Sequence, residues 1–241
     1  MSARIAVIGG GIAGLGFALG LHQRGIACDV YEAVPEVREL GVGITLLPHA
    51  MRELAALGLQ GELEAVGIEN QESVFFNRFG QYIYREPRGR HGGYPLPEIG
   101  IHRGKLHRIL FDAAVKRLGP DRIHTNHRCT GVTQDATGAT VSFVQGSDGA
   151  PLPSVVADVV VACDGVNSAV RRQFYPGEKV AFAGINTWRG VTRHKPILTG
   201  KSYGQTNLIV LDAAGNPVAD TIVSVIQDPS DQVTVYLGAA R

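Results

Sequence analysis

An α/β fold with a parallel sheet is what the sequence predicts, and three observations predict it. Residues 4–8 form a short apolar strand, followed by a glycine-rich turn, an apolar helix reaching Arg24 and a second strand at residues 27–31. This is a strand–turn–helix–strand unit. Residues 155–163 are almost continuously apolar, which suits a central parallel strand covered on both faces. From Phe182 onward the pattern is mostly strand-like, at 182–191, 202–211, 218–226 and 233–237, so a β-rich layer accompanies the α/β unit.

The other elements follow in chain order. Gly25 is placed to end the first helix. The run Gly41-Val42-Gly43-Ile44 precedes a helix at 48–57, with Pro48 at its start and Gly58 at its end. Residues 73–79 and 81–85 are two strands joined at Gly80, and 87–97, rich in Gly, Pro and Arg, is a loop. Residues 105–118 are helical, because Leu106, Ile109, Leu110, Ala113 and Ala114 recur on one face. Residues 122–134 and 138–145 are strands meeting at a turn. Asp164-Gly165 ends the long apolar strand, and Asn167 or Ser168 caps a short helix.

Composition bounds the function. The 241 residues allow one large domain or two small ones, with a full core and no staple needed. Hydrophobic residues at 44% and charged residues at 19% mark a globular chain. Lys and Arg number 23 against 22 Asp and Glu, for a net charge of +1, which gives no support for nucleic-acid binding. Three cysteines, Cys28, Cys129 and Cys163, form no C-x-x-C pair and fit a reducing, cytoplasmic compartment. His124 and His127 lie three apart in one strand-like stretch and are expected on opposite faces, so no metal site is predicted. Residues 5–21 carry no charge, but 17 residues fall short of the ~20 that span a bilayer. A phosphate-binding motif explains their glycines better than a leader or a membrane span.

That motif is Gly9-x-Gly11-x-x-Gly14 with Glu32. The first glycine makes the tight turn, the second admits a pyrophosphate, and the third lets helix and strand pack closely. The amides of Ile12 and Ala13 at the helix N-terminus then face the phosphates. Glu32, 18 residues after Gly14, can accept hydrogen bonds from ribose hydroxyls and would repel a 2′-phosphate. The pattern is that of a Rossmann-type dinucleotide site.

With that fingerprint, four further stretches occur in order: Gly41-Val42-Gly43-Ile44 before Pro48, Ile101-His102-Arg103-x-x-Leu106, a run at 157–171 containing Cys163-Asp164-Gly165-Val166-Asn167-Ser168, and Trp188-Arg189-Gly190-Val191. Together they resemble the FAD-dependent aromatic-ring monooxygenases, the salicylate, para-hydroxybenzoate and phenazine hydroxylases. Arg85-Glu86-Pro87-Arg88-Gly89 with Ile101-His102-Arg103-Gly104 is most similar to the phenazine hydroxylases. The resemblance covers about residues 3–194. It implies a Rossmann-like FAD-binding domain at 1–72 and 101–180 and a β-rich substrate domain at 73–100 and 181–241. It also implies NAD(P)H and O₂ as co-substrates, and hydroxylation of an aromatic small molecule through a flavin C4a-hydroperoxide.

Residue by residue, the resemblance implies that Gly43 belongs to the cofactor site and that Asp164-Gly165 approaches the dinucleotide near the pyrophosphate. It brings Arg103 to the phosphate and ribityl region of FAD. A cation at a helix N-terminus is electrostatically unusual, so an anionic ligand would account for Arg103. Arg38 is a further phosphate candidate, with plain surface as the alternative. His49 either faces a flavin or substrate ring or is a partly buried helix residue. Arg189 either binds an aromatic carboxylate by bidentate pairing or forms a cross-strand ion pair. No side chain is required as nucleophile or general base, so no catalytic residue is assigned.

The resemblance stops before the end of the chain. The family's later Gly-Asp motif has no counterpart, because the chain contains no Gly-Asp dipeptide. Residues 198–212, with Gly215 and Val218, are instead similar to the small β-domain that opens secretin-type pilus assembly proteins. The fold is therefore expected to be C-terminally incomplete, from a truncated or fused reading frame. The competing function is a non-catalytic module that holds the ADP half of FAD. An NAD-dependent dehydrogenase is disfavoured because no Tyr-x-x-x-Lys dyad follows the fingerprint.

Overall fold

The structure is a computed structural model that describes residues 3–36, 43–76, 81–178, 181, 198–200, 204–211, 217–225 and 233–235. Along the chain run β1 (Ile5–Ile8), α1 (Ile12–Gln23), β2 (Asp29–Tyr31), β3 (Gly43–Leu46), α2 (Pro48–Ala56), α3 (Gln60–Val66), β4 (Ile68–Glu69), β5 (Glu72–Phe76), β6 (Tyr82–Pro87) and β7 (Ile99–His102). There follow α4 (Arg103–Leu118), β8 (Ile123–His124), β9 (His127–Asp135), β10 (Gly138–Gln145), β11 (Pro151–Ala157), β12 (Val159–Ala162) and α5 (Ala169–Phe174), then β13 (Leu198–Gly200), β14 (Gly204–Leu211), β15 (Pro217–Val225) and β16 (Val233–Val235). The chain divides into two compact units, Met1–Glu39 with Gly104–Val180 and Leu40–Arg103 with Ala181–Arg241.

The first unit is an α/β layer structure. Its four strands lie in the order β12-β1-β2-β8, all parallel. Side chains alternate across β1, so its two faces build two cores. Val7 packs with Ala18, Cys28 and Val30, against Leu21 of α1 and Leu118 of α4. Ala6 and Ile8 turn the other way, to Tyr31, Cys129, Val132, Val141 and Phe143. That second core joins the parallel sheet to the antiparallel sheet β11-β10-β9. Val7, Ile8, Leu15, Val30 and Val141 are almost wholly removed from water, each contributing about 1.5–3 kcal/mol.

Two expectations are corrected in this unit. The apolar stretch at 155–163 is not one central strand. It ends an antiparallel strand at Ala157 and begins a parallel one at Val159, which pairs with β1 and is half exposed. The switch occurs at Asp158, whose carboxylate accepts the Arg4 amide at 2.7 Å and its guanidinium at 3.0 Å. The Arg4 carbonyl in turn accepts the amides of Asp158 and Val159. The second correction concerns His124 and His127. The chain turns between them at Asn126, which has φ 60°, and their rings meet at 5.7 Å between centroids rather than facing apart. Tyr31 stacks on His124 at 4.6 Å and on Phe143 at 4.8 Å. His124 Nε2 donates to Asp29, and His127 Nδ1 donates to the Thr125 carbonyl.

In the second unit β3, β7 and β4 form an antiparallel sheet, and β5 pairs with β6 as a hairpin. Leu46, Met51, Leu59, Leu63, Ile99 and Ile101 are buried there. Pro48 begins α2, and Gly58 beyond its end has φ +72°. β14 pairs antiparallel with β15, and β13 with β16. β3 and β4 hydrogen-bond to β7 and not to the parallel sheet.

Candidate functional site

The site is assembled at the C-terminal end of β1. Gly9 leaves the strand with φ +104°, a conformation that favours glycine. A Cβ there would meet the Cys163 carbonyl oxygen at 2.4 Å and the Asp164 Cα at 3.1 Å, so β12 runs hard against the turn. A Cβ on Gly14 would stand 1.8 Å from the Gly9 carbonyl oxygen, which is the close packing of helix on strand that the third glycine permits. Gly11 is the opposite case: nothing lies within 4 Å of where its Cβ would be. Gly11 caps α1 and, being glycine, offers no side chain to the helix amides. An anion is thus the natural partner of the Ile12 and Ala13 amides.

Glu32 follows β2 and reaches back to this turn. Its Oε2 accepts the Gly10 amide at 2.6 Å and its Oε1 accepts the Val34 amide at 2.9 Å. A carboxylate has about four acceptor positions, so two remain for ribose hydroxyls. The backbone of Glu32 is held on both sides, by the His124 carbonyl and the His127 amide. Glu32 therefore does something that its spacing did not disclose: it ties down the turn.

Asp164 is brought beside Gly9, but its carboxylate is engaged. Oδ2 accepts the Ala169 amide at 2.8 Å and the Val170 amide at 3.4 Å, capping α5 together with Ser168, whose Oγ accepts the Arg171 amide. Gly165 has φ +79°. Both line a cavity of about 540 Å³ with Arg171, Phe174 and Tyr175. The thiols of this unit are held toward their neutral form. Burial pushes the Cys28 thiol up to about 11, and burial followed by the charge of Asp164 raises that of Cys163.

Gly43, His49 and Arg103 belong to the second unit. Gly43 opens β3 opposite His102. His49 is exposed in the first turn of α2 and lines a cavity of about 400 Å³ with Arg52, Glu86, Arg88, Tyr94 and Glu98. Glu98 is 5% exposed and accepts from Asn70 Nδ2 at 3.1 Å, while Arg88 donates to Ser73 Oγ at 2.8 Å. Arg103 begins α4 and is exposed. Arg38 and Arg189 lie outside the described residues. Among the described residues no group of three or more His, Cys, Asp or Glu is arranged to hold a metal ion, and no helix is long and apolar enough to cross a membrane.

One residue at the turn was missed. His107, in α4, places Nε2 2.6 Å from the Gly10 carbonyl oxygen. Its only sequence signal is its place beside the buried Leu106, because its partner is 97 residues away.

Comparisons with known proteins agree with this geometry. Residues 2–200 match the FAD binding domain family, and residues 190–226 match a second family, the pilus formation protein N terminal region. The phenazine 1,6-dicarboxylic acid hydroxylase PhzS of Lysobacter antibioticus is 38% identical over 200 residues, covering 82% of this chain and 49% of that protein. The FAD-dependent urate hydroxylase of Klebsiella pneumoniae is 34% identical over 193 residues, covering 77% of this chain and 46% of that protein. The crystal structure of Klebsiella pneumoniae HpxO with FAD and uric acid superposes with a TM-score of 0.56 at 29% identity, over 71% of this chain and 41% of that one. The chain spans about half the length of the curated relatives it matches. A Gly9–Gly14 turn closed by Glu32, on a parallel sheet, with this match over residues 2–200, places the chain in the FAD binding domain family.

Proposed function

We propose that the chain provides the FAD-holding part of a monooxygenase that uses NAD(P)H and O₂ to hydroxylate an aromatic small molecule. The observation that carries this reading is the open approach at Gly11 beside helix amides that no capping side chain fills, with Glu32 hydrogen-bonded to the same turn at Gly10. These residues fit an adenine dinucleotide diphosphate. The amides of Ile12 and Ala13 bind the pyrophosphate, Gly11 lets it approach, and the spare acceptors of Glu32 take ribose hydroxyls. When bound, FAD supplies redox chemistry with O₂ that no protein side chain provides. The protein's share is to orient the ring and to exclude water from the reacting centre. The resemblance adds Arg103 as a candidate for the FAD phosphates, His49 for a flavin or substrate ring, and Arg189 for a substrate carboxylate. The relatives' named substrates, a phenazine dicarboxylic acid and urate, favour a planar nitrogen-containing ring system as the substrate class.

A second reading is that the chain holds the ADP half of FAD without hydroxylating. It is favoured by the site itself, because Gly9, Gly11, Gly14 and Glu32 all address pyrophosphate and ribose. One experiment separates the two. The purified chain is supplied with FAD, and NADH or NADPH consumption, peroxide release and hydroxylated product are followed with a panel of phenols and aromatic acids. Product matching the nicotinamide consumed supports the monooxygenase. Flavin binding with peroxide alone, or with no turnover, supports the binding module.

A further inference from the structure

We propose that His107 is a positioning residue for the dinucleotide turn, holding the Gly10–Gly11 peptide so that its amide is presented to an anionic group. The inference rests on the dinucleotide reading given above. Gly10 is gripped from both sides. Its N–H donates to Glu32 Oε2 at 2.6 Å, and its carbonyl accepts from His107 Nε2 at 2.6 Å. A carbonyl only accepts, so Nε2 carries the proton. The peptide that contains the Gly10 carbonyl also contains the Gly11 N–H. A hydrogen bond at one end of a peptide polarises the other and fixes its plane. In a trans peptide the N–H lies opposite the carbonyl, so the Gly11 amide is turned away from His107, at a residue where a Cβ would meet nothing within 4 Å.

The residues around His107 make this bond stiff. His107 is half-buried and follows Leu106, which is 1% exposed, with Leu110 one turn on and fully buried. α4 is therefore anchored in the core on either side of the ring. Gly10 is itself buried against the Glu32 side chain, whose Cβ lies 2.9 Å from where a Gly10 Cβ would stand, so the turn and Glu32 are in close contact. Release of the carbonyl frees the peptide to rotate, and the Gly11 amide loses its direction.

The test uses the full chain with His107→Gln and His107→Asn. The glutamine amide nitrogen reaches about as far as Nε2, whereas the asparagine nitrogen stops at about the position of Nδ1. Titration with ADP is expected to show roughly fivefold to tenfold weaker binding for His107→Asn, and binding within about twofold of the original for His107→Gln. Amide hydrogen exchange without ligand is expected to quicken at Gly10 and Gly11 in the asparagine variant alone, leaving β9 and β10 unchanged. Equal affinity in His107→Asn with unchanged exchange at Gly10 and Gly11 would overturn the proposal. So would equal losses in both variants with faster exchange throughout, since that is a general loss of stability. If the original chain binds no ADP, the dinucleotide reading fails, and the exchange at Gly10 and Gly11 alone then decides whether His107 holds the turn.

Discussion

Glu32 holds the turn and, in the function proposed above, accepts the ribose hydroxyls, so a single substitution would confuse the two. Its carboxylate accepts the buried Gly10 amide, so Glu32→Ala leaves that donor without a partner, at a cost of about 1–3 kcal/mol in stability. The same change removes the ribose acceptor, and ADP is expected to bind roughly ten- to a hundredfold more weakly. Glu32→Gln keeps an oxygen for Gly10 and separates the two. Its amide nitrogen then faces the exposed Val34 N–H, so its melting temperature should fall less than that of Glu32→Ala while ADP affinity falls, which calorimetry and titration measure side by side. An unchanged ADP affinity in both variants would remove Glu32 from the site. Cys28 makes a second prediction at this scale. Burial first, and then the charge of Asp29, push its thiol up to about 11. The thiol thus stays neutral in the fold at pH values where an unfolded cysteine, near 8.5, has begun to ionise. Its folded pKa is raised, so its contribution to stability is intact below about 8.5 and is lost as pH rises toward 11. Alkylation at pH 8 should leave Cys28 unmodified in the native chain and label it in urea, as read by mass spectrometry.

The glycines of the turn were legible because the motif is local. Gly9, Gly11 and Gly14 sit within one turn and one helix start, and their spacing encodes what each does. The structure sharpens this into a contrast. Gly14→Ala drives a Cβ to 1.8 Å from the Gly9 carbonyl and is expected to cost more than about 2 kcal/mol, seen as a lower denaturation midpoint. Gly11→Ala meets no neighbour and should leave the midpoint nearly unchanged, yet abolish ADP binding because the methyl occupies the approach of the pyrophosphate. What was not legible were the long-range contacts. Nothing local says that Asp158 will grip Arg4 and move the chain from one sheet to the other. A continuous apolar run hides that switch, since it suits both an antiparallel and a parallel strand. Nor does spacing reveal that Asn126 takes a left-handed conformation, which turns His127 onto the face His124 occupies. His107 is the same case, a polar residue on an otherwise unexceptional helix whose partner is 97 residues earlier.

Across the whole molecule, the first unit is an α/β nucleotide scaffold whose binding turn is held by groups from three directions: Glu32 after β2, the Cys163–Asp164 backbone after β12, and His107 from α4. The family-level reading of residues 3–194 agrees with the match at 2–200, and the similarity of residues 198–212 to pilus assembly proteins agrees with the second match at 190–226. The substrate side was less legible. His49 lines a cavity among Arg52, Arg88 and Glu98, but these charges are drawn into pairs with one another or with neighbouring residues, and they do not specify a ligand. The central claim is that this turn binds the ADP half of FAD, and titration of the chain with ADP and with FAD, beside Gly11→Ala, tests it most directly. The account predicts saturable, one-to-one binding of both nucleotides to the parent chain and none to a Gly11→Ala chain of unchanged stability. Binding that survives Gly11→Ala, or no binding of either nucleotide to the parent chain, would contradict it.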